Sequence, residues 1–225
     1  MVAYFYQGKT RFFRPQYTVM APKGLPVLGV RLPPGLSNRR LEGISRRLYR
    51  RGIRRFLAGE RVWLPPPLIP VDPLPLCRVR GAQLALELLS HLPLRERRAA
   101  LRGEKAGPEA WAMAEQLCPQ VGALLLEFDR GEEALSRHLR SRYGAAPLHL
   151  GQEPAPQVAV ELSPCSPGAF RTLRLWGEPE LLGLTLRPEW PLPPELPPLP
   201  FLELLWETGR IEPEELRPVR EPEWP

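Results

Sequence analysis

The amino-acid sequence predicts an α/β fold built on a mostly parallel, doubly wound sheet with helices on both faces. Short β-prone runs alternate with helical segments, and Gly or Pro stands at many of the boundaries between them. The composition agrees, because 43% hydrophobic and 25% charged residues in a chain of 225 are ordinary for globular proteins. This length allows one large domain or two small ones, and the composition excludes a fibre or a wholly disordered chain.

The first third of the chain contains a regular strand–helix–strand unit. Residues 27–32 form a short apolar run, which predicts a buried strand. Ser37 or Asn38 is suited to cap the helix that follows, because a short polar side chain accepts hydrogen bonds from the free N–H groups of the first turn. Gly52 is placed to end this helix, and a strand is predicted to resume at residues 53–58.

The N-terminal segment precedes this unit. β-prone aromatic runs at residues 2–6 and 11–13 flank a Gln-Gly-Lys-Thr sequence that is typical of a turn, which predicts a β-hairpin within residues 1–23. Residues 16–20 are expected to continue as a strand.

The same alternation of elements continues through the rest of the chain. Helices are predicted at residues 83–92, 108–118 and 132–143, and strands at 97–102, 121–128, 146–150, 157–162 and 170–176. Over roughly residues 97–150 this arrangement resembles Rossmann-type folds in general, without indicating a particular family.

The repeated strand–helix–strand pattern predicts how the strands pair. Parallel neighbours need a long crossover, which the helices supply. Four strands are therefore expected to be adjacent and parallel, at residues 27–32, 53–58, 97–102 and 121–128. The last two predicted strands have no long helix between them, so we expect them to form an antiparallel extension at one edge of the sheet.

Three regions follow from this interpretation. After the N-terminal hairpin, residues 24–178 are expected to form the Rossmann-like α/β domain. Residues 59–76 are dense in proline, so two subdomains divided near this segment are an alternative. Residues 179–225 are a Pro-rich C-terminal segment with a short helix, which Phe201 and Trp206 are expected to dock on the main body.

A possible ligand site follows from the predicted sheet. In open α/β sheets, ligands bind beyond the carboxyl ends of the strands. That rule selects four loops, at residues 33–38, 103–107, 129–131 and 163–167.

The second and third of these loops suggest a nucleotide site. Gly103 and Gly107 would let backbone N–H groups approach a phosphate at the start of a helix, and Lys105 would pair with it. Asp129 at the end of the next strand would hold ribose hydroxyls, with Glu127 as an alternative. The spacing is GxxxG, however, and not GxGxxG or GxxxxGK[ST]. The favoured interpretation is therefore that the two glycines only end a strand and begin a helix.

Six arginines share one side of the helix predicted at residues 37–51. They are Arg39, Arg40, Arg46, Arg47, Arg50 and Arg51. Such a basic face could contact nucleic acid or an acidic protein. It could also pair with the acidic side chains of residues 178–223, or it could be an ordinary solvated face. The solvated or internally paired face is favoured, because arginine is abundant throughout the chain and lysine occurs only three times.

The cysteines and histidines give little sign of catalysis or metal binding. Cys77, Cys118 and Cys165 form no CxxC motif and no even framework, which favours a reducing, cytoplasmic setting. The three histidines share no metal-ligand spacing, so no metal is expected. Cys165 is the best-placed thiol for a nucleophile, but a packed, inert thiol is favoured.

The leading interpretation is a Rossmann-like protein to which no catalytic activity can be assigned, either a degenerate ligand-binding protein or an accessory protein. One alternative is an enzyme that depends on a nucleotide or phosphate ligand held by the strand-end loops. The other is a protein that binds nucleic acid or an acidic protein through the Arg-rich helix. No membrane partner is expected, because the chain has no apolar run of about 18 residues.

Overall fold

The computed structural model of the protein describes residues 1–8, 14–58, 64–149, 151 and 155–220, without the side chain of Ala58. The protein has an α/β fold with one mixed and one parallel sheet. None of the helices in the described residues is long and apolar enough to cross a lipid bilayer.

Most elements follow one another in the order that the sequence predicts. The strands are β1 (Val2–Gln7), β2 (Gln16–Met20), β3 (Val27–Leu32), β4 (Arg55–Ala58), β5 (Ile69–Pro70), β6 (Arg98–Lys105), β7 (Ala123–Arg130), β8 (Leu148–His149), β9 (Val158–Glu161), β10 (Arg171–Arg174), β11 (Leu184–Arg187) and β12 (Arg217–Arg220). The helices are α1 (Asn38–Arg50), α2 (Leu74–Val79), α3 (Gly81–Leu89), α4 (Pro108–Leu117), α5 (Glu132–Tyr143) and α6 (Pro198–Glu207). Of these elements, β5, α2, β11 and β12 are not predicted from the sequence.

The chain divides into two compact units, and each unit contains two separate segments of sequence. Unit 1 consists of Met1–Pro73 and Pro188–Glu215, and unit 2 consists of Leu74–Arg187 and Leu216–Pro225. Each unit contains its own five-stranded sheet.

The sheet of unit 1 has the order β2-β3-β1-β4-β5. Strand β1 lies at its centre and pairs in parallel with β3 on one side and β4 on the other. Because parallel partners occupy both edges of β1, the predicted N-terminal hairpin is wrong; the run at residues 11–13 lies outside the described residues. Strand β2 forms as predicted and pairs antiparallel with β3 at the edge of the sheet.

Helix α1 covers one face of this sheet. Alternation along β1 puts Ala3 and Phe5 on that face, where they pack with Ile44 and Leu48 of the helix. All four are buried. The apolar stripe of α1 is therefore buried against the sheet. The opposite side of the helix carries the arginines and faces solvent.

The C-terminal segment of unit 1 joins this sheet through polar contacts. Arg55 of β4 forms an ion pair with Glu207 of α6, with Nη2 lying 3.2 Å from Oε1. Lys23 places its Nζ 4.6 Å from the ring centroid of Trp190, which is a cation–π contact.

The sheet of unit 2 is entirely parallel and has the order β10-β9-β6-β7-β8. The prediction that four strands would be neighbours in one sheet is wrong. Strands β3 and β4 flank β1 in unit 1, whereas β6 and β7 are adjacent in unit 2. The predicted antiparallel extension is also wrong, because β10 pairs in parallel with β9.

The helices of unit 2 form one layer. Helix α3 contacts α4 and β9, and α4 contacts α5 and β6. The other face carries a small cluster of Ala100, Leu125 and Ala159, to which no helix contributes in the described residues. In the described part of unit 2, the predicted helix layer is therefore observed on one face of the sheet. Strands β11 and β12 form a separate antiparallel pair in the same unit.

Candidate functional site

A cleft opens in unit 2 where the carboxyl ends of β6 and β9 meet the beginning of α4. Its volume is about 390 Å³. Its lining comes from two of the segments that the sequence selects, from the neighbouring Leu162 and from the first turn of α4. It consists of Glu104, Lys105, Gly107, Pro108, Glu109, Ala110, Leu162 and Ser163. Two of the predicted cofactor-binding residues, Lys105 and Gly107, therefore lie at one cleft.

Gly103 has a different role from the predicted one. Strand β6 continues to Lys105, so Gly103 is a buried strand residue and not part of a loop. A Cβ added there would lie 3.1 Å from the Oγ of Ser163 and 3.4 Å from the ring of Phe128. Gly103 therefore lets the chain after β9 pack closely on β6, and its replacement by valine would disturb this packing as well as any ligand.

Gly107 is the glycine that opens into the cleft. It is the residue before the first turn of α4, with φ −83° and ψ −178°, a conformation that any residue adopts. A Cβ added to Gly107 would meet no atom within 4 Å. Neither backbone conformation nor packing within the chain requires glycine here, whereas close approach by a ligand would.

Both carboxylates that line the cleft form ion pairs with arginines that do not line it. Glu104 of β6 pairs with Arg130 of β7, and Glu109 of α4 accepts a hydrogen bond of 3.0 Å from Arg78. Lys105 is exposed and adds a cation beside the start of α4. The cleft thus offers both carboxylates and cations.

Arg78 was not identified from the sequence, although it holds the walls of the cleft together. Its Nε donates to the carbonyl oxygen of Leu175 at 2.8 Å, and its Nη2 donates to that of Leu162 at 3.1 Å. The same guanidinium binds Glu109, so α2, α4 and the residues after β9 and β10 are fixed by one side chain. Arg78 lies in a short helix without any recognisable motif, so no local signal in the sequence could have indicated this role.

Asp129, predicted to hold ribose hydroxyls, does not line the cleft. It is the exposed penultimate residue of β7, which runs to Arg130. Among the described cleft residues, the carboxylates are those of Glu104 and Glu109.

A row of charged side chains crosses the centre of the same sheet. Arg102 is in register with Glu127 on one neighbouring strand and with Glu161 on the other. Its Nη1 lies 2.9 Å from Oε1 of Glu161, its Nε donates to Glu127, and its Nη2 donates to the carbonyl oxygen of Ser166 at 2.9 Å. The side chain of Arg102 is only 3% exposed and that of Glu161 is 10% exposed. These two side chains are therefore a buried ion pair.

The sequence contains a signal for this row of charges, because the apolar runs of β6, β7 and β9 each have a charged residue near the carboxyl end. Burial alone disfavours the charged guanidinium, but the hydrogen bond and charge of Glu127, together with nearby Cys165 and Glu161, raise the pKa of Arg102 above its ordinary value. Arg102 therefore stays charged and anchors the loop that follows β9.

The thiol of Cys165 lies in that loop and donates to the carbonyl oxygen of Ser163 at 3.2 Å. Burial raises its pKa above the ordinary value of a cysteine, and the Arg102 guanidinium only partly offsets this effect. Since the thiolate is the reactive form, Cys165 is not an activated nucleophile.

We expect Cys165 to react slowly with iodoacetamide at neutral pH. The rate should rise with pH and reach half its maximum above the ordinary pKa of about 8.5 for a free cysteine. The measurement is the alkylation rate of Cys165, followed by mass spectrometry, with N-acetylcysteine as the reference thiol. Alkylation as fast as the reference at neutral pH would contradict this prediction.

The six predicted arginines, five of them in α1 and Arg51 directly after it, are all exposed. Arg46 pairs with Glu42 on the same helix, with Nη2 and Oε1 2.5 Å apart. In the described part of the chain, no ion pair joins any of the six to an acidic side chain of residues 178–220. The version of the prediction in which these arginines pair with the acidic C-terminal region is therefore not supported.

The described residues contain no group of three or more His, Cys, Asp or Glu side chains that could hold a metal ion. Two of the histidines lie beside carboxylates instead, His138 with Glu115 at 2.7 Å and His149 with Glu132. Comparison of the chain with protein-family models and with curated proteins finds no match.

Proposed function

We propose that unit 2 is a Rossmann-like domain that binds a small anionic ligand of mononucleotide size in the cleft between β6 and β9. Numbered along the chain from β6 and read from the β8 edge, its strands have the order 3-2-1-4-5. This order matches the first five positions of the classic doubly wound order 3-2-1-4-5-6. In such sheets the ligand binds at the point where the strand order reverses. Here that point lies between β6 and β9.

The observation that carries the proposal is the coincidence of this reversal with the cleft and with Gly107. The cleft opens at the carboxyl ends of the two strands, and a Cβ at Gly107 would meet nothing within 4 Å. A ligand group placed there would face the first backbone N–H groups of α4, which have no partner within the helix. These N–H groups and the helix dipole favour an anion such as a phosphate.

The other residues of the cleft suit the remainder of a nucleotide. Lys105 would pair with the phosphate, and Glu104 would accept hydrogen bonds from ribose hydroxyls in the role first proposed for Asp129. The volume of about 390 Å³ is near the lower end of ordinary ligand pockets, about 300–1,000 Å³. This size, together with the missing GxGxxG sequence, favours a mononucleotide or sugar phosphate over a dinucleotide.

The cleft in unit 2 is proposed to bind its ligand without catalysing a reaction. The hydroxyl oxygen of Ser163 accepts a hydrogen bond of 2.6 Å from the backbone N–H of Glu104, so it is used to position the loop. Within the described residues of the cleft, no histidine lies beside this hydroxyl. A serine nucleophile requires an adjacent general base.

The test is a thermal-shift titration of the full chain with AMP, ribose 5-phosphate and NAD. A ligand that binds only the native state must raise Tm, and we expect this for AMP or ribose 5-phosphate. Gly107→Val should abolish the shift because its side chain fills the cleft. Gly107→Ser suits the residue before a helix, and its smaller side chain should weaken the shift less than valine does.

Two results would contradict the proposal. One is a ligand shift that persists unchanged in Gly107→Val, because the ligand would then bind elsewhere. The other is the absence of any shift with a broad set of phosphorylated compounds. In each case the Tm of the unliganded variants must match that of the original protein, which shows that the unit is folded.

A further inference from the structure

A second cleft, in unit 1, lies between the beginning of β2 and one flank of α1. Its volume is about 670 Å³. Its lining residues come from β2 and the residues before it, the chain before α1, and α1 itself: Arg14, Pro15, Tyr17, Leu36, Arg40, Gly43, Ile44 and Arg47. This basic cleft, as we call it, is separate from the ligand site proposed in unit 2.

The charge of the basic cleft is not neutralised within the described residues. Arg14, Arg40 and Arg47 are exposed, and none of them forms an ion pair with a described acidic side chain. Arg40 and Arg47 are seven residues apart on α1, so they lie two turns apart on the same side of the helix. Three guanidinium groups therefore surround one opening and leave their charge for a partner.

An exposed aromatic ring and an exposed glycine line the basic cleft together with these arginines. Tyr17 is 42% exposed and Val19 is 67% exposed, and both lie on the edge strand β2. Gly43 is exposed between Arg40 and Arg47, and a Cβ added there would meet no atom within 4 Å. Glycine weakens the interior of a helix. No packing within the chain requires it at this position, whereas close approach by a flat ligand would.

We infer that the basic cleft binds single-stranded nucleic acid without sequence selectivity. Single strands are held by arginines along the phosphates and by aromatic rings on which bases stack, and the cleft combines both. An acidic peptide would use the arginines but would gain little from Tyr17 or the open surface at Gly43. A duplex conceals its bases, so it could not stack on Tyr17.

The test is fluorescence anisotropy of the full chain with labelled oligo(dT), oligo(U) and a duplex of equal length, at several salt concentrations. Both single strands should bind more tightly than the duplex, and affinity should fall steeply with salt. Tighter binding of the duplex, or competition by poly-glutamate equal to that by unlabelled oligonucleotide, would overturn the inference.

Three sets of variants connect the binding to the cleft. The triple variant Arg14→Gln, Arg40→Gln, Arg47→Gln should reduce the slope of log affinity against log salt by about 2, since each contact contributes about 0.7 for a single strand. The control of equal charge is Arg39→Gln, Arg46→Gln, Arg50→Gln, on the same helix but outside the cleft, and it should change the slope less. Equal loss in both variants would show general attraction to α1 and would overturn the assignment.

Tyr17→Ala should weaken binding by about fivefold or more with little change in the salt slope, because it removes stacking and no charge. Tyr17→Phe keeps the ring and should bind like the original protein. Gly43→Leu should raise the helix propensity of α1 and yet weaken binding by filling the cleft. If Tyr17→Ala and Gly43→Leu both bind normally, the inference is wrong.

Discussion

Replacing Arg102 with methionine is expected to lower the free energy of unfolding by about 3–5 kcal/mol. The substitution leaves the carboxylate of Glu161, whose side chain is 10% exposed, without the guanidinium that lies 2.9 Å away. The carbonyl oxygen of Ser166 also loses its donor. Urea unfolding at neutral pH, followed by circular dichroism, measures the loss.

The control for this prediction removes both charges. The double variant Arg102→Met, Glu161→Leu should regain most of the lost stability, because a buried ion pair replaced by apolar groups of similar volume is often neutral or stabilising. Glu127→Gln alone should cost much less, since its side chain is 46% exposed. If Arg102→Met unfolds at the same urea concentration as the original protein, the row of charges is not a buried ion pair in solution.

Replacing Gly122 with alanine is expected to destabilise unit 2 by about 3 kcal/mol. A Cβ at this position would lie 2.2 Å from the carbonyl oxygen of Arg95 and 2.6 Å from its carbonyl carbon. Both atoms belong to the backbone, so no side-chain rotation can relieve the contact. The backbone of Gly122 cannot move away freely either, because its N–H donates to the carbonyl oxygen of Arg97 at 2.9 Å.

The matched control is Gly144→Ala in the same unit. Gly144 ends α5 with a φ of 65°, and a Cβ there would meet no atom within 4 Å. Alanine should therefore lower the free energy of unfolding by only about 1 kcal/mol, because its Cβ is disfavoured in the left-handed conformation. The difference between the two variants in thermal or urea unfolding isolates the steric contribution. Equal losses would contradict the explanation for Gly122.

The sequence predicted the elements better than it predicted their partners. Helix α5 has the predicted bounds, because charged residues begin it and Gly144 ends it in the left-handed conformation. The position of β1 could not be derived in the same way. Its aromatic run fits a hairpin as well as a central strand, and only the long-range pairing with β3 and β4 distinguishes the two.

The candidate site was predicted only in part, and for a local reason. Strand β6 was expected to end at residue 102, because Gly103 reads as a strand terminator when its neighbours are unknown. The strand continues to Lys105, since Gly103 accommodates the packing of Ser163 against it. Contacts between distant residues, such as those of Arg78 with Leu162 and Leu175, leave no periodic or local pattern in the sequence.

The interleaving of the two units has a consequence for the order in which they can be completed during synthesis. Pro188–Glu215 belongs to unit 1 although more than a hundred residues of unit 2 are translated before it. Unit 2 in turn lacks β12, the partner of β11, until Arg217–Arg220 have been made. A ribosome that has translated only the first 187 residues therefore holds two incomplete folds. Although unit 1 begins at the N-terminus, it therefore cannot be completed before most of unit 2 has been translated.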